Sequence, residues 1–233
     1  MNTLRELLLE PEPAAEQPRM TPIREGVHEP ARRAVSAPSP AHDEQIHGLV
    51  QQLFFRNESR LIRHVAFAPA EELIATAALC LDVARAVAEE GRYDVVLIDA
   101  RLGSSALHSE LKIASPTRAE SSWQIAPRLW IAPRQTWLPD SSGGRVNELS
   151  LSRLRETTAE FDFSILCCSP VAWLTASIAQ TCDGLVLVLE AEKTRRLVAA
   201  QIKDQLAKAQ VPLLGCVLAG RRLPVPAGLY RRL

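Results

Sequence analysis

The stretch from Arg63 to Ala100 restricts the fold more than any other part of the chain. It holds a short apolar run, Arg63 to Ala68, then an amphipathic segment, Glu71 to Glu90, then Tyr93 to Ala100 with Val95, Val96, Leu97 and Ile98 in succession. Ile74, Ala77, Ala78, Leu81, Ala84 and Ala88 share one face of the middle segment. Gly91 stands just past its end, where a residue free to adopt positive φ stops a helix. Four consecutive apolar residues suit a strand covered on both faces. Strand, helix, strand is a βαβ unit, and it predicts parallel pairing.

The alternation continues to the end of the sequence. Leu129 to Ala132 reads as a short strand, Asn147 to Glu160 as a helix, and Phe163 to Cys168 as a strand. Gly184 to Leu189 and Leu213 to Ala219 are two more strands, separated by a helix whose face is Val198, Ile202, Leu206 and Ala209. Ile46, Leu49, Val50 and Leu53 recur at helical spacing behind Asp43, giving an entry helix to about Arg56. The expected class is therefore α/β, a doubly wound, mostly parallel sheet flanked by helices.

Composition divides the chain in two. Seven of the 16 prolines fall before residue 45, among Glu, Arg, Ser and Ala, so residues 1–43 cannot bury enough surface to offset their ordering entropy and are expected to be a disordered arm. Leu4, Leu7, Leu8 and Leu9 in that arm follow helical spacing; they suit a docking turn or a frayed end. Residues 44–233 are expected to form the folded domain. The 27 basic and 27 acidic residues cancel, so no global field draws the chain to nucleic acid or an anionic membrane. Trp123, Trp130, Trp137 and Trp173 occur singly, without the interleaved cations of a nucleic-acid platform. The longest apolar run, Ile74 to Leu81, is far below the roughly 20 residues of a membrane span. A soluble cytoplasmic protein without membrane insertion is expected. Five cysteines, with Cys167 and Cys168 adjacent in an apolar run, read as inert core thiols, since adjacent cysteines bridge poorly.

In such sheets ligands sit at the carboxyl ends of the strands, and the loops there carry a resemblance. Gly48-Leu-Val-Gln-Gln-Leu-Phe-Phe55, Asp94-Val-Val-Leu-Ile-Asp-Ala100 with Leu107 and His108, and Phe161-Asp-Phe-Ser-Ile-Leu166 with Ser169-Pro-Val171 form one ordered series. Asp183-Gly-Leu-Val-Leu-Val-Leu-Glu-Ala191 with Thr194, Leu213-Leu-Gly-Cys-Val-Leu218, Leu223-Pro-Val-Pro226 and Leu229-Tyr-Arg-Arg-Leu233 complete it. In order and spacing they resemble the cytoplasmic ATPase domain of the CpsD/CapB family of bacterial exopolysaccharide tyrosine kinases, related to the MinD and ParA type of deviant P-loop ATPases.

The departures from that family fall on the atoms that handle phosphate. A P-loop needs glycines for a backbone cradle, a lysine for the β and γ oxygens, and a hydroxyl for Mg²⁺. The expected GxGK[ST] aligns with Leu73-Ile-Ala-Thr-Ala77, so Leu73 and Ala75 replace the glycines, Thr76 the lysine and Ala77 the hydroxyl. No Gly or Lys occurs between Val65 and Glu90. Asp99 keeps the first acid of the second motif, but Arg101 takes the position of its second acid, and Cys167 that of the acid in the third. Glu71 and Glu72 read as acids in the first turn of a helix. His108 reads as a surface histidine, there being no nucleophile loop to serve.

The resemblance implies a non-catalytic accessory or regulator of exopolysaccharide or capsule assembly that contacts a chain-length-determinant membrane protein or an active kinase paralogue and controls oligomer formation. It implies no cofactor. Such a protein sits at the inner membrane only through its partner. Arg221, Arg222, Arg231 and Arg232 with Tyr230 are the partner-contact candidates; a solvated basic end, with Tyr230 packed beside Leu229 and Leu233, is the plainer alternative. The rival is a weakly active ATP- and Mg²⁺-binding tyrosine autokinase or ATPase with an atypical phosphate loop. A partitioning protein of the MinD and ParA type is a third reading, disfavoured by the Pro-Val-Pro and Leu-Tyr-Arg-Arg-Leu ending.

Overall fold

The computed structural model describes residues 40–56, 61–72, 76–102, 105–115, 121–139 and 144–220. All of them belong to the unit spanning Ser39–Leu233. Helix α1 (Pro40–Val50) starts three residues ahead of Asp43, with proline at its first position, where the missing N–H has no helical partner to lose. It runs into a π-helical turn, Gln51–Phe55. The remaining residues of the expected arm, with its leucines, lie outside the described residues, as do Arg221, Arg222, Tyr230, Arg231 and Arg232.

Seven strands follow: β1 (His64–Pro69), β2 (Val95–Ala100), β3 (Trp123–Ala126), β4 (Leu129–Ala132), β5 (Phe163–Cys168), β6 (Gly184–Glu190) and β7 (Leu213–Ala219). They form one sheet in the order β3-β4-β2-β5-β1-β6-β7. Every neighbouring pair is parallel except β3 with β4. The expected doubly wound sheet is thus present, with one antiparallel hairpin at its edge that the sequence pattern does not reveal. Pro127 and Arg128 turn that hairpin; Arg128 takes φ of 56° and donates from its guanidinium to Asp94 at 2.9 Å.

The helices α2 (Thr76–Glu89), α3 (Leu107–Glu110), α4 (Glu148–Ala159), α5 (Trp173–Ala179) and α6 (Arg196–Lys208) complete the chain. Strand alternation divides the core between two faces. Val95, Leu97, Phe67 and Ile165 pack with Ile46, Phe54, Cys80 and Val87 from α1, the π turn and α2. Val96, Ile98, Leu166 and Leu187 pack with Leu154, Ile178, Ile202 and Leu206 from α4, α5 and α6. Because β2 and β5 are covered on both sides, their residues are all buried, as four consecutive apolar residues require.

Local signals set several boundaries. Gly91, at φ of 71°, ends α2, and its N–H returns to the Ala88 carbonyl at 3.0 Å. Asn147 caps α4 by accepting from the Ser150 N–H at 2.9 Å. Three expectations need correction. Glu71 and Glu72 lie in a bend and turn after β1, not in the first turn of α2. Tyr93 precedes β2 instead of lying inside it; its ring meets Phe163 edge-on, centroids 4.9 Å apart, and stacks on Phe55. Aromatic packing, not β-propensity, is its role. The helix α5 was not expected at all, since it is only seven residues long and no polar cap announces it.

The Asp183-Gly184 pair at the head of β6 is structural. Asp183 Oδ2 accepts from the Arg63 and His64 N–H groups at 2.7 and 2.9 Å and so fixes the start of β1. A Cβ at Gly184 would come 2.6 Å from Leu214 Cγ and 2.7 Å from the Pro212 carbonyl. The latter is backbone and cannot swing aside. Gly184→Ala is expected to cost about 1–3 kcal/mol by overpacking, read as a shift of the urea midpoint at unchanged slope. A midpoint equal to that of the parent protein excludes the close approach.

Candidate functional site

The carboxyl ends of β1, β2 and β5 surround a cavity of about 380 Å³. Its wall carries Glu72 from the turn after β1, Thr76 and Ala77 from the start of α2, Arg101 and Glu110 from either side of the β2–α3 connection, and Ser169 after β5. The sequence-derived positions Thr76, Ala77 and Arg101 therefore meet at one place, with Asp99 immediately beneath. Leu73 and Ala75 lie outside the described residues.

Asp99 is 2% exposed and its oxygens are spoken for. Oδ2 accepts from the Leu107 N–H at 2.8 Å. Oδ1 accepts from the Arg101 N–H at 3.2 Å and from Arg101 Nε at 3.1 Å. The carbonyl of Asp99 accepts from Trp137 Nε1 at 3.0 Å. A carboxylate so bound orders backbone; it is not presented to the cavity as an acid for metal or water.

Arg101, 9% exposed, is equally committed. Besides Asp99, its guanidinium donates to a Glu110 carboxylate oxygen and to the Ser105 carbonyl, the latter at 2.9 Å. Burial alone pulls its pKa down, but the bond to Glu110 and the charge of Asp99 outweigh burial, so the pKa is raised and the group stays charged. Its own carbonyl accepts from the Arg134 guanidinium at 3.0 Å.

Cys167 does not reach the cavity. In register it lies beside Asp99 on one side and Phe67 on the other, and it packs in the core with Cys80 of α2. Burial pushes the Cys80 and Cys168 thiols well up and Cys182 up to about 12. These three are neutral thiols, and none of the five cysteines is bridged. His108 is half-buried, its ring edge-on to Trp123 with centroids 5.6 Å apart, which is a packing role.

Several residues of the site were invisible to sequence reasoning. Glu110 is nine positions from Arg101, and no pattern ties them. Ser169 belongs to a quoted motif, yet its use is local: Oγ accepts from the Leu102 N–H at 2.9 Å. Trp137 had no signal beyond being a large aromatic in a loop.

Two carboxylates, Glu110 and Glu72, line the cavity beside one guanidinium that is already paired with Glu110 and with Asp99 beneath, and among the described residues no lysine lines the wall. A nucleotide triphosphate brings concentrated negative charge and needs cations and free N–H donors. The described residues of the wall do not fit a magnesium nucleotide.

No family model matches the sequence, and no curated protein matches it. Solved structures do. The kinase domain of the Escherichia coli tyrosine kinase ETK aligns with a TM-score of 0.61 at 15% identity, covering 80% of each chain. The BceF tyrosine kinase domain aligns at 0.60 and 21% identity, covering 76% of each. A putative plasmid partition protein from Borrelia burgdorferi B31, bound to AMPPNP, aligns at 0.51 and 14% identity, covering 74% of this chain and 80% of that one. The chain has the fold of these kinase domains and ParA-type partition proteins. At such identities the likeness establishes the fold and leaves activity to the site. Among the described residues no helix is long and apolar enough to cross a membrane.

Proposed function

We propose that this chain is a non-catalytic accessory or regulatory protein of bacterial exopolysaccharide or capsule assembly, working by contact with a chain-length-determinant membrane protein or an active kinase paralogue. The observation that carries the reading is the cavity at the strand ends, where paired Arg101 and the carboxylates of Glu110 and Glu72 stand in place of a phosphate cradle. The polysaccharide setting rests on the order of motifs and on the kinase domains that share the fold. Arg221, Arg222, Tyr230, Arg231 and Arg232 remain the partner-contact candidates on sequence grounds alone.

The rival reading, an ATP-binding autokinase or ATPase with an atypical loop, is favoured by one observation: a partition protein of this fold holds AMPPNP. Calorimetric titration with ATP and ADP, with and without Mg²⁺, separates the two. A ligand specific for the native state raises its stability by about 2.7 kcal/mol at a hundredfold excess over Kd. The expected result is no heat and no shift in Tm at millimolar nucleotide. Saturable, magnesium-dependent binding overturns the non-catalytic reading. The partner half is tested by titrating the same protein with the cytoplasmic segments of a chain-length determinant from the same genome, where saturable binding is expected.

A further inference from the structure

A single residue, Arg101, ties the end of β2 to the start of α3. At the β2 end, the Arg101 N–H and Nε both donate to Asp99 Oδ1, at 3.2 and 3.1 Å. At the α3 end, the Arg101 guanidinium takes the Ser105 carbonyl at 2.9 Å and the Glu110 carboxylate. The other oxygen of Asp99 holds the Leu107 N–H at 2.8 Å, which begins α3. Two carboxylates and a carbonyl thus converge on one positive charge. Carboxylate and carbonyl oxygens around a cation are the surroundings a soluble metal ion commonly takes, but here the cation is covalently part of the chain.

A soluble cation comes and goes with its concentration and with any phosphate it accompanies. A guanidinium does neither, and its planar fork supplies several directed donors where an ammonium offers a point charge. We infer that Arg101 is a resident cation that holds the start of α3 against the end of β2 regardless of nucleotide or divalent metal. The inference deepens the non-catalytic reading and rests on it for independence from nucleotide; the fastening itself rests on geometry alone.

Hydrogen exchange on the full chain reads the fastening at the Leu107 amide, whose acceptor Asp99 is braced by Arg101, and at the neighbouring Leu102 amide, held by Ser169 Oγ at 2.9 Å. In the parent protein their protection is expected to be the same in EDTA and in millimolar Mg²⁺-ATP. In Arg101→Ala it is expected to fall by about tenfold or more, as local opening replaces a fastened loop. Guanidinium chloride at about 20 mM, far below denaturing levels, is expected to restore much of it by refilling the vacated position, whereas equal sodium chloride is not. Arg101→Lys, which keeps the charge but not the fork, and Glu110→Gln are expected to be intermediate, and they carry the test if the alanine variant does not fold.

Unchanged protection in the variants overturns the inference, as does protection in the parent protein that follows Mg²⁺-ATP or a rescue that sodium matches. Failure here and failure of the functional reading are distinguishable. Nucleotide heat with unaltered Leu107 protection removes the non-catalytic reading and leaves the fastening. No nucleotide heat with unaltered protection in the variants does the reverse.

Discussion

Asp99→Ala is expected to lower the unfolding free energy by about 3–5 kcal/mol, the cost of breaking a buried ion pair from one side. The residue is 2% exposed and its partner Arg101 9%, so water cannot replace what is lost. Three donors lose their acceptor at once: the Leu107 and Arg101 N–H groups and Arg101 Nε. Arg101 then keeps Glu110 and Ser105, which holds the charge but not the β2 end of the loop. For a chain of this size the loss corresponds to a fall in Tm on the order of 10 °C. Asp99→Asn is expected to cost less, because the amide oxygen still accepts, but its NH2 group must face donors. A functional acid behaves otherwise: sites kept for chemistry commonly tolerate removal or gain stability from it. Urea unfolding of the two variants within error of the parent protein would return Asp99 to the list of reactive residues.

Most of the fold was legible because a parallel sheet announces itself. Buried strands such as Val95–Ala100 and Phe163–Cys168 must be apolar without interruption, and their connecting helices must be amphipathic. The strand Trp123–Ala126 was not legible: it is a four-residue edge strand, only half-buried, whose pairing partner lies across a two-residue turn without glycine. Pro40 was read as the end of a proline-rich arm because composition averages over a window, whereas proline at the first helical position is a single-residue effect.

The site was legible by subtraction. Sequence order showed which phosphate-handling groups are replaced, at Leu73, Ala75, Thr76, Ala77, Arg101 and Cys167, but not what the replacements do. That Arg101 fills the role of a cation depends on Glu110 and Ser105 returning to it through space, a contact with no period or motif. The bonds of Asp99 serve the backbone that follows it, since the Arg101 N–H and the Leu107 N–H at the start of α3 both donate to its carboxylate. Electrostatics completes what alignment began. A missing lysine alone weakens phosphate binding, while a missing lysine beside the carboxylates of Glu72 and Glu110 opposes it.

Trp137→Ala is the other large effect expected, again about 3–5 kcal/mol, from the cavity left by a fully buried indole. Trp137 follows the short 3-10 turn Arg134–Thr136 after β4 and packs in the core with Ala132, Leu138 and Leu154. Its Nε1 donates to the Asp99 carbonyl at 3.0 Å, so the same side chain fills volume and satisfies the backbone at the end of β2. Trp137→Phe separates these contributions. Phenylalanine keeps most of the apolar contact but leaves a buried carbonyl without its donor, at about 1–3 kcal/mol. Denaturant titration is expected to rank the parent protein above the phenylalanine variant and that above the alanine variant, with the slope unchanged. Because Trp137 and Arg101 grip the two sides of Asp99, carbonyl and carboxylate, Trp137→Phe combined with Arg101→Ala is expected to fall short of or exceed the sum of the single effects by about 0.5 kcal/mol or more. Strict additivity would mean that the two grips act independently, and the end of β2 would then be rigid for reasons other than these bonds.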